Sequence, residues 1–198
     1  MPSREDRSLP ARIQGRLSRL YGISDAPPVD DFIEASDHDD REVLVIVDRG
    51  AEGEVELALH LPRLAEGGRP SFDQLCQIVE GVSHFLYVVE RARRELPATQ
   101  LELELQAEVD KYVILAASLT DFDERISRRL RERLYDDIAY MHEAGTELGD
   151  RYRMANGAAR RFTHRLERDY VVRSRFGELQ GALRRFFHMG QGEKLRAA

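Results

Sequence analysis

Apolar positions recur along most of this chain at three and four residues, the period of a helix with one buried face. Leu9, Ile13, Leu17, Leu20 and Tyr21 predict a short N-terminal helix with Arg12, Arg16 and Arg19 on its other faces. The pattern changes at Val43–Asp48, a β-branched run followed by the turn-forming RGAEG. Beyond it Val55, Leu57 and Leu59 alternate with Glu54, Glu56, Ala58 and His60. This predicts a hairpin with one buried face and His60 exposed. Two strands are not stable alone, so the hairpin must lie on helices or meet further strands.

Two segments opening on capping boxes follow. Ser71 with Gln74 begins one and Thr99 with Glu102 the other. In the first, Phe72, Leu75, Cys76, Val79, Val82, Leu86 and Val89 form a stripe that Ile78, Phe85 and Val88 widen until the helix is apolar nearly all round. The second is ambiguous. Leu101, Leu103, Leu105, Ala107 and Val109 alternate with Glu102, Glu104, Gln106 and Glu108, a strand pattern, yet the capping box and the strong helix formers favour helix. As strand, residues 101–109 and 112–118 would form a second hairpin, giving a four-stranded antiparallel sheet with helices on one face.

Downstream, Thr120 is expected to cap a helix carrying Phe122, Ile126, Leu130, Leu134, Ile138 and Met141 and ending at Gly145. Thr146 opens another, whose Leu148, Tyr152, Ala155, Ala159, Phe162, Leu166 and Tyr170 make a heptad stripe suited to antiparallel packing or to a helical partner. Ser174–Met189 repeats the spacing, and the GQGEKLRAA tail is expected to fray. The predicted class is mainly α, a multi-helix domain of about five to six helices with one β-hairpin. Residues 1–41 read as an N-terminal helix and acidic linker, 42–145 as the core, and 146–198 as basic helices packed on it.

Composition narrows the class. With 198 residues, 42% hydrophobic and 33% charged, the chain is long enough and apolar enough to bury one core. No apolar run reaches membrane-spanning length, the N-terminus lacks a secretory pattern, and the lone Cys76 fits a reducing compartment, so the cytoplasm is expected. The net charge of −6 is unevenly spread: residues 151–198 hold 12 Arg or Lys against 4 Asp or Glu, and residues 1–150 hold 18 against 32. An electropositive C-terminal surface on an acidic body could meet a polyanion or dock on the body itself.

Enzyme signatures are absent: no P-loop, no G-x-S-x-G, no H-E-x-x-H, no C-x-x-C and no G-x-G-x-x-G occurs. The acidic DHDD stretch fails as a calcium loop, because counting from Asp37 the sixth position is Glu42 and the twelfth Asp48. One cluster survives as a chemical candidate. Residues four apart share a helix face, so Glu80 with His84 and Glu104 with Glu108 would converge if their helices pack antiparallel. Three carboxylates and an imidazole suit a divalent transition metal such as Mn, Fe or Zn, although Glu108 has Lys111 within reach as a local ion-pair partner. Cys76 on the apolar stripe is a small core residue. The arginines Arg161, Arg165, Arg168, Arg173, Arg175, Arg184 and Arg185, interleaved with Phe162, Tyr170 and Phe186, are the candidate nucleic-acid contacts. Heptad stripes without catalytic motifs make a non-catalytic interaction protein, an adaptor or regulatory subunit with a protein partner or a second copy, the first functional expectation. Nucleic-acid binding through the arginines and metal binding through the Glu/His cluster are the alternatives; any catalysis would be metal-dependent.

Overall fold

The computed structural model describes residues 8–34, 42–48, 55–63 and 68–198. Helices make up 66% of the chain, and the protein is mainly α with a small three-stranded sheet. Seven α-helices stand among the described residues. The DHDD stretch and the RGAEG turn lie outside them.

Helix α1 (Leu9–Tyr21) starts where Ser8 Oγ accepts from the Ala11 amide and ends at Gly22, whose φ of 74° is the left-handed geometry glycine adopts without strain. The chain that follows, expected as a solvated linker, is instead tied down by Gln14. Its amide donates to the Pro27 carbonyl at 2.6 Å and accepts from the Val29 amide at 2.9 Å, which buries Val29. A single helical turn, Val29–Phe32, leads into the short strand β1 (Ile33–Glu34).

Strand β3 (Val55–His60) pairs antiparallel with β2 (Val43–Asp48) and parallel with β1, so the predicted hairpin gains a third strand in the order β1-β3-β2. Leu44 and Leu59 are cross-strand partners, and alternate residues share a face, which puts Glu42, Leu44, Leu59 and Leu61 on the side toward the helices. The sheet settles closely on helix α2 (Phe72–Arg93) because Gly81 has no side chain. A Cβ there would stand 2.7 Å from Leu61 Cδ2 and 3.0 Å from Leu59 Cδ1.

Both predicted capping boxes form, Ser71 with Gln74 on α2 and Thr99 with Glu102 on α3 (Gln100–Ala116). The helix expectation for residues 101–109 therefore stands. Contacts Arg91–Glu102, Ser83–Asp110 and Lys111–Glu80 descend α2 as they ascend α3, so the pair is antiparallel. Val79, Val82, Phe85 and Leu86 pack with Leu105 and Val109 in one core, each apolar side chain contributing on the order of 1.5–3 kcal/mol. On the far side Ala155, Ala158 and Ala159 of α5 (Glu147–Leu166) are buried, small enough to let that helix come close to α3. Covered on several sides, α3 buries Glu102, Glu104, Gln106, Asp110 and Lys111. The strand-like alternation of leucine and glutamate is thus the imprint of a central helix with polar contacts on two flanks.

Three expected boundaries change. Helix α4 (Glu124–Arg131) starts from Asp123 rather than Thr120, and one wider turn, Glu132–Asp136, ends it before Gly145. The chain leaves the helix there because residues 137–145 fold back on α5, where Tyr140 donates to Asn156 at 3.1 Å and lies under Arg153. Gly145, at φ 86°, belongs to the turn ahead of the Thr146 cap. Beyond α6 (Phe176–His188) the tail does not fray but forms α7 (Gln191–Ala197).

One buried side chain anchors α7: the Lys194 ammonium donates to Gln106 Oε1 and sits 4.7 Å and 4.5 Å from the rings of Tyr87 and Phe186. Gln106 in turn donates to Asp110 at 3.0 Å, and Asp110 also accepts from Tyr21 and from Ser83. Burial, only partly opposed by Asp110 and Glu102, pushes Lys194 down to about 7 from 10.5. Between those values the folded protein binds fewer protons here than the unfolded chain, so this residue makes stability rise with pH across that window, by at most about 1.4 kcal/mol per pH unit. Below pH 7 both states are protonated and the dependence disappears. Chemical denaturation should therefore show wild type gaining stability relative to Lys194→Met from pH 7 to pH 10; a difference independent of pH contradicts this.

Candidate metal centre

The flank of α3 opposite Asp110 carries the candidate cluster. Glu80 and His84 are one turn apart on α2, and Glu104 reaches them from α3. One ligand atom from each of the three residues lies within 4.8 Å of the other two. The fourth predicted member, Glu108, is held elsewhere: Lys111 Nζ lies 2.7 Å from it and 3.1 Å from Glu80. Glu80 thus faces both the lysine and the imidazole.

His84 is 8% exposed and its two ring nitrogens differ. Nδ1 lies 3.6 Å from a carboxylate oxygen of Glu42, whereas Nε2 is buried with no hydrogen-bond partner. The second oxygen of Glu42, Oε2, is also buried and unpartnered, as is Nε of Arg151 on α5. An unsatisfied buried polar atom costs on the order of 1–3 kcal/mol. Two such atoms, His84 Nε2 and Glu42 Oε2, lie on adjoining side chains.

The electrostatics agree with the geometry. Burial disfavours the His84 cation, but Glu42, Glu80 and Glu104 outweigh it and raise the imidazole to about 9. Burial raises the Glu104 carboxyl to about 7, against His84 and Arg151 and with help from Glu80 and Glu42. Burial also opposes the Lys111 ammonium, yet Glu108 and Glu80 hold it well above its ordinary value. Tyr152 of α5 sets its hydroxyl near Glu104, and burial followed by the charges of Glu104, Glu80 and Glu42 raises the phenol. His142 stacks on the Tyr152 ring with centroids 5.6 Å apart. The arrangement concentrates carboxylate charge around one imidazole and favours its protonated form.

Glu42 and Tyr152 were not legible as site residues. Glu42 closes an acidic stretch that reads as linker, and only its place ahead of β2, facing α2, gives it a role; its amide donates to the Gln77 side chain at 3.2 Å. Tyr152 reads as one more position of the α5 stripe. Cys76 is half-buried and burial pushes its thiol up to about 11, in keeping with a core residue rather than a nucleophile. His60, expected to be exposed, is half-buried with Nδ1 unpartnered.

The seven predicted arginines all lie on the outside of α5, α6 and the segment between them. Arg168 pairs with Asp169 and Arg175 with Glu178, while Arg184 donates to the carbonyls of Leu20 and Arg19 at the end of α1. Of the aromatics interleaved with these arginines, Phe162 and Phe186 are core residues, as their place on the apolar stripes implies, buried against each other with ring centroids 3.9 Å apart. Tyr170 is half-buried, with Arg175 over its ring.

Comparison of the chain with family models, curated proteins and solved structures finds no match. The site stands on its own geometry.

Lys111 gives a direct check on that geometry. Lys111→Met leaves Glu80 and Glu108 without their shared cation and should destabilise the fold by about 3–5 kcal/mol at pH 8. The loss should be smaller at pH 5, where the stranded carboxylates can protonate. Urea denaturation showing a change below about 1 kcal/mol at pH 8 would mean that the lysine is not held between them.

Proposed function

We propose that this is a metal-binding helical protein that holds one divalent first-row transition metal ion between Glu80, His84 and Glu104. The observation that carries it is the buried, unpartnered Nε2 of His84 within a cluster whose ligand atoms already approach one another. An ion would take the place of the proton that the surrounding carboxylates hold on the imidazole, giving Nε2 a partner while that proton leaves to solvent. Two carboxylates and one imidazole without a thiolate suit Mn, Fe or Zn, and three protein ligands leave positions for water or a further group. Glu108 stays with Lys111 and is outside the coordination set. The ion would bridge α2 and α3, stabilising their contact by mass action.

An adaptor role drew on the heptad stripe of α5, but Ala155, Ala159, Phe162 and Leu166 of that stripe are buried in the protein's own core. Nothing beyond exposed charge favours nucleic-acid binding by the arginines.

After chelator treatment and dialysis, the full chain should bind about one Mn2+ or Zn2+ in calorimetric titration, with a rise in Tm equivalent to about 2.7 kcal/mol at a hundredfold excess over Kd. The isosteric Glu104→Gln and the more disruptive His84→Ala should each weaken binding by at least about 100-fold, relative to the ~10–100-fold typical of outer-shell changes. Arg168→Ala should leave it unchanged. If the wild-type chain gives no heat of binding and no Tm shift at about 1 mM ion, the proposal is contradicted.

A further inference from the structure

We infer that Glu42 is the positioning carboxylate of this centre, holding His84 through Nδ1 so that Nε2 faces the ion, and that ion occupancy thereby sets how firmly the small sheet is seated on α2. This rests on the metal site proposed above. Glu42 belongs to the sheet side of the contact, yet three features built into α2 hold it there. Gln77 accepts from its backbone amide at 3.2 Å, and Gln77 is itself steadied by donating to Asp73 at 2.8 Å. Gly81 opens the space: Glu42 Oε2 lies 3.3 Å from where a Cβ at that position would stand. His84, one turn further along α2, presents Nδ1 to the other carboxylate oxygen at 3.6 Å.

An imidazole has one nitrogen to donate and one to coordinate when it is neutral, and the hydrogen bond made by the first decides which is the second. A carboxylate accepting from Nδ1–H fixes the ring plane, makes Nε2 the coordinating atom and increases its basicity. The unpartnered Nε2 is the atom this arrangement leaves over. Coupling follows because the chain Glu42–His84–ion crosses from the start of β2 to α2. Val43, the residue after Glu42, pairs with His60 of β3, so what holds Glu42 also holds the strand pair. At 3.6 Å the Glu42 contact is longer than a hydrogen bond; when the ion draws on the imidazole, the Nδ1–H becomes a stronger donor and the contact closes to one. The sheet is thereby fastened more firmly to the helix.

The test uses the full chain loaded with Zn2+, whose closed d shell permits NMR. Long-range 1H–15N correlation should show the His84 ring coordinated through Nε2 and protonated at Nδ1. Glu42→Leu should weaken Zn2+ binding by about 10–100-fold, while Glu42→Gln, whose amide oxygen can accept from Nδ1–H in the loaded protein, should lose less than about tenfold. Hydrogen exchange of the β2 and β3 amides should slow on Zn2+ loading in wild type and respond little in Glu42→Leu. Zn2+ bound through Nδ1, or bound with unchanged affinity in both variants, overturns the role of Glu42 while leaving the metal site intact. Absence of Zn2+ binding in wild type removes the site and this role together.

Discussion

The structure depends on how α3 tolerates being buried on nearly every side while carrying five polar or charged residues in its interior. Burying a charge is costly unless a partner accompanies it. Helix α3 meets that constraint by sorting its polar residues onto two flanks, each facing different neighbours. Lys111, set between Glu108 on its own helix and Glu80 on α2, is the ion pair on which one flank turns. Asp110, accepting from Tyr21, Ser83 and Gln106, is the centre of the other.

The two flanks recruit different parts of the chain. The Asp110 side collects the ends: Tyr21 closes α1, and Lys194 carries the last helix into the core through Gln106. Glu102 lies on the same side, where one residue completes the α3 capping box and also pairs with Arg91 at 3.2 Å. Among the described residues no buried side-chain nitrogen or oxygen of the Asp110 centre is without a partner. The Lys111 side collects the sheet through Glu42 and α5 through Tyr152 and Arg151, and it is here that buried atoms are left without partners. That contrast sets the two flanks apart: both are buried and charged, but unpartnered atoms gather at only one.

The helical class, both central capping boxes and the convergence of Glu80, His84 and Glu104 were legible because each follows from local rules: cap spacing, helix formers, and the four-residue repeat that puts two side chains on one face. What escaped depended on distant parts of the chain. The tail reads as polar and short, and it becomes a helix only because Lys194 finds Gln106, Tyr87 and Phe186 around it. Glu42 reads as linker because nothing local reveals that Gly81, nearly forty residues on, leaves room for it. The α4 helix stops early because residues beyond Asp136 find partners on α5. Spacing puts Glu108 near both Lys111 and the other acids and does not choose between them; in the fold it pairs with Lys111 at 2.7 Å, while Glu80, His84 and Glu104 are the three that converge.

The central claim is that an ion occupies the space between α2 and α3 at this incomplete flank. Anomalous diffraction at the absorption edge of Zn or Mn, from crystals of the full chain grown with that ion, addresses it directly. The account predicts a single strong peak bonded to His84 Nε2 and to one oxygen each of Glu80 and Glu104, with Glu108 remaining on Lys111. A map with no peak there, or with the ion held only by surface carboxylates, would contradict it.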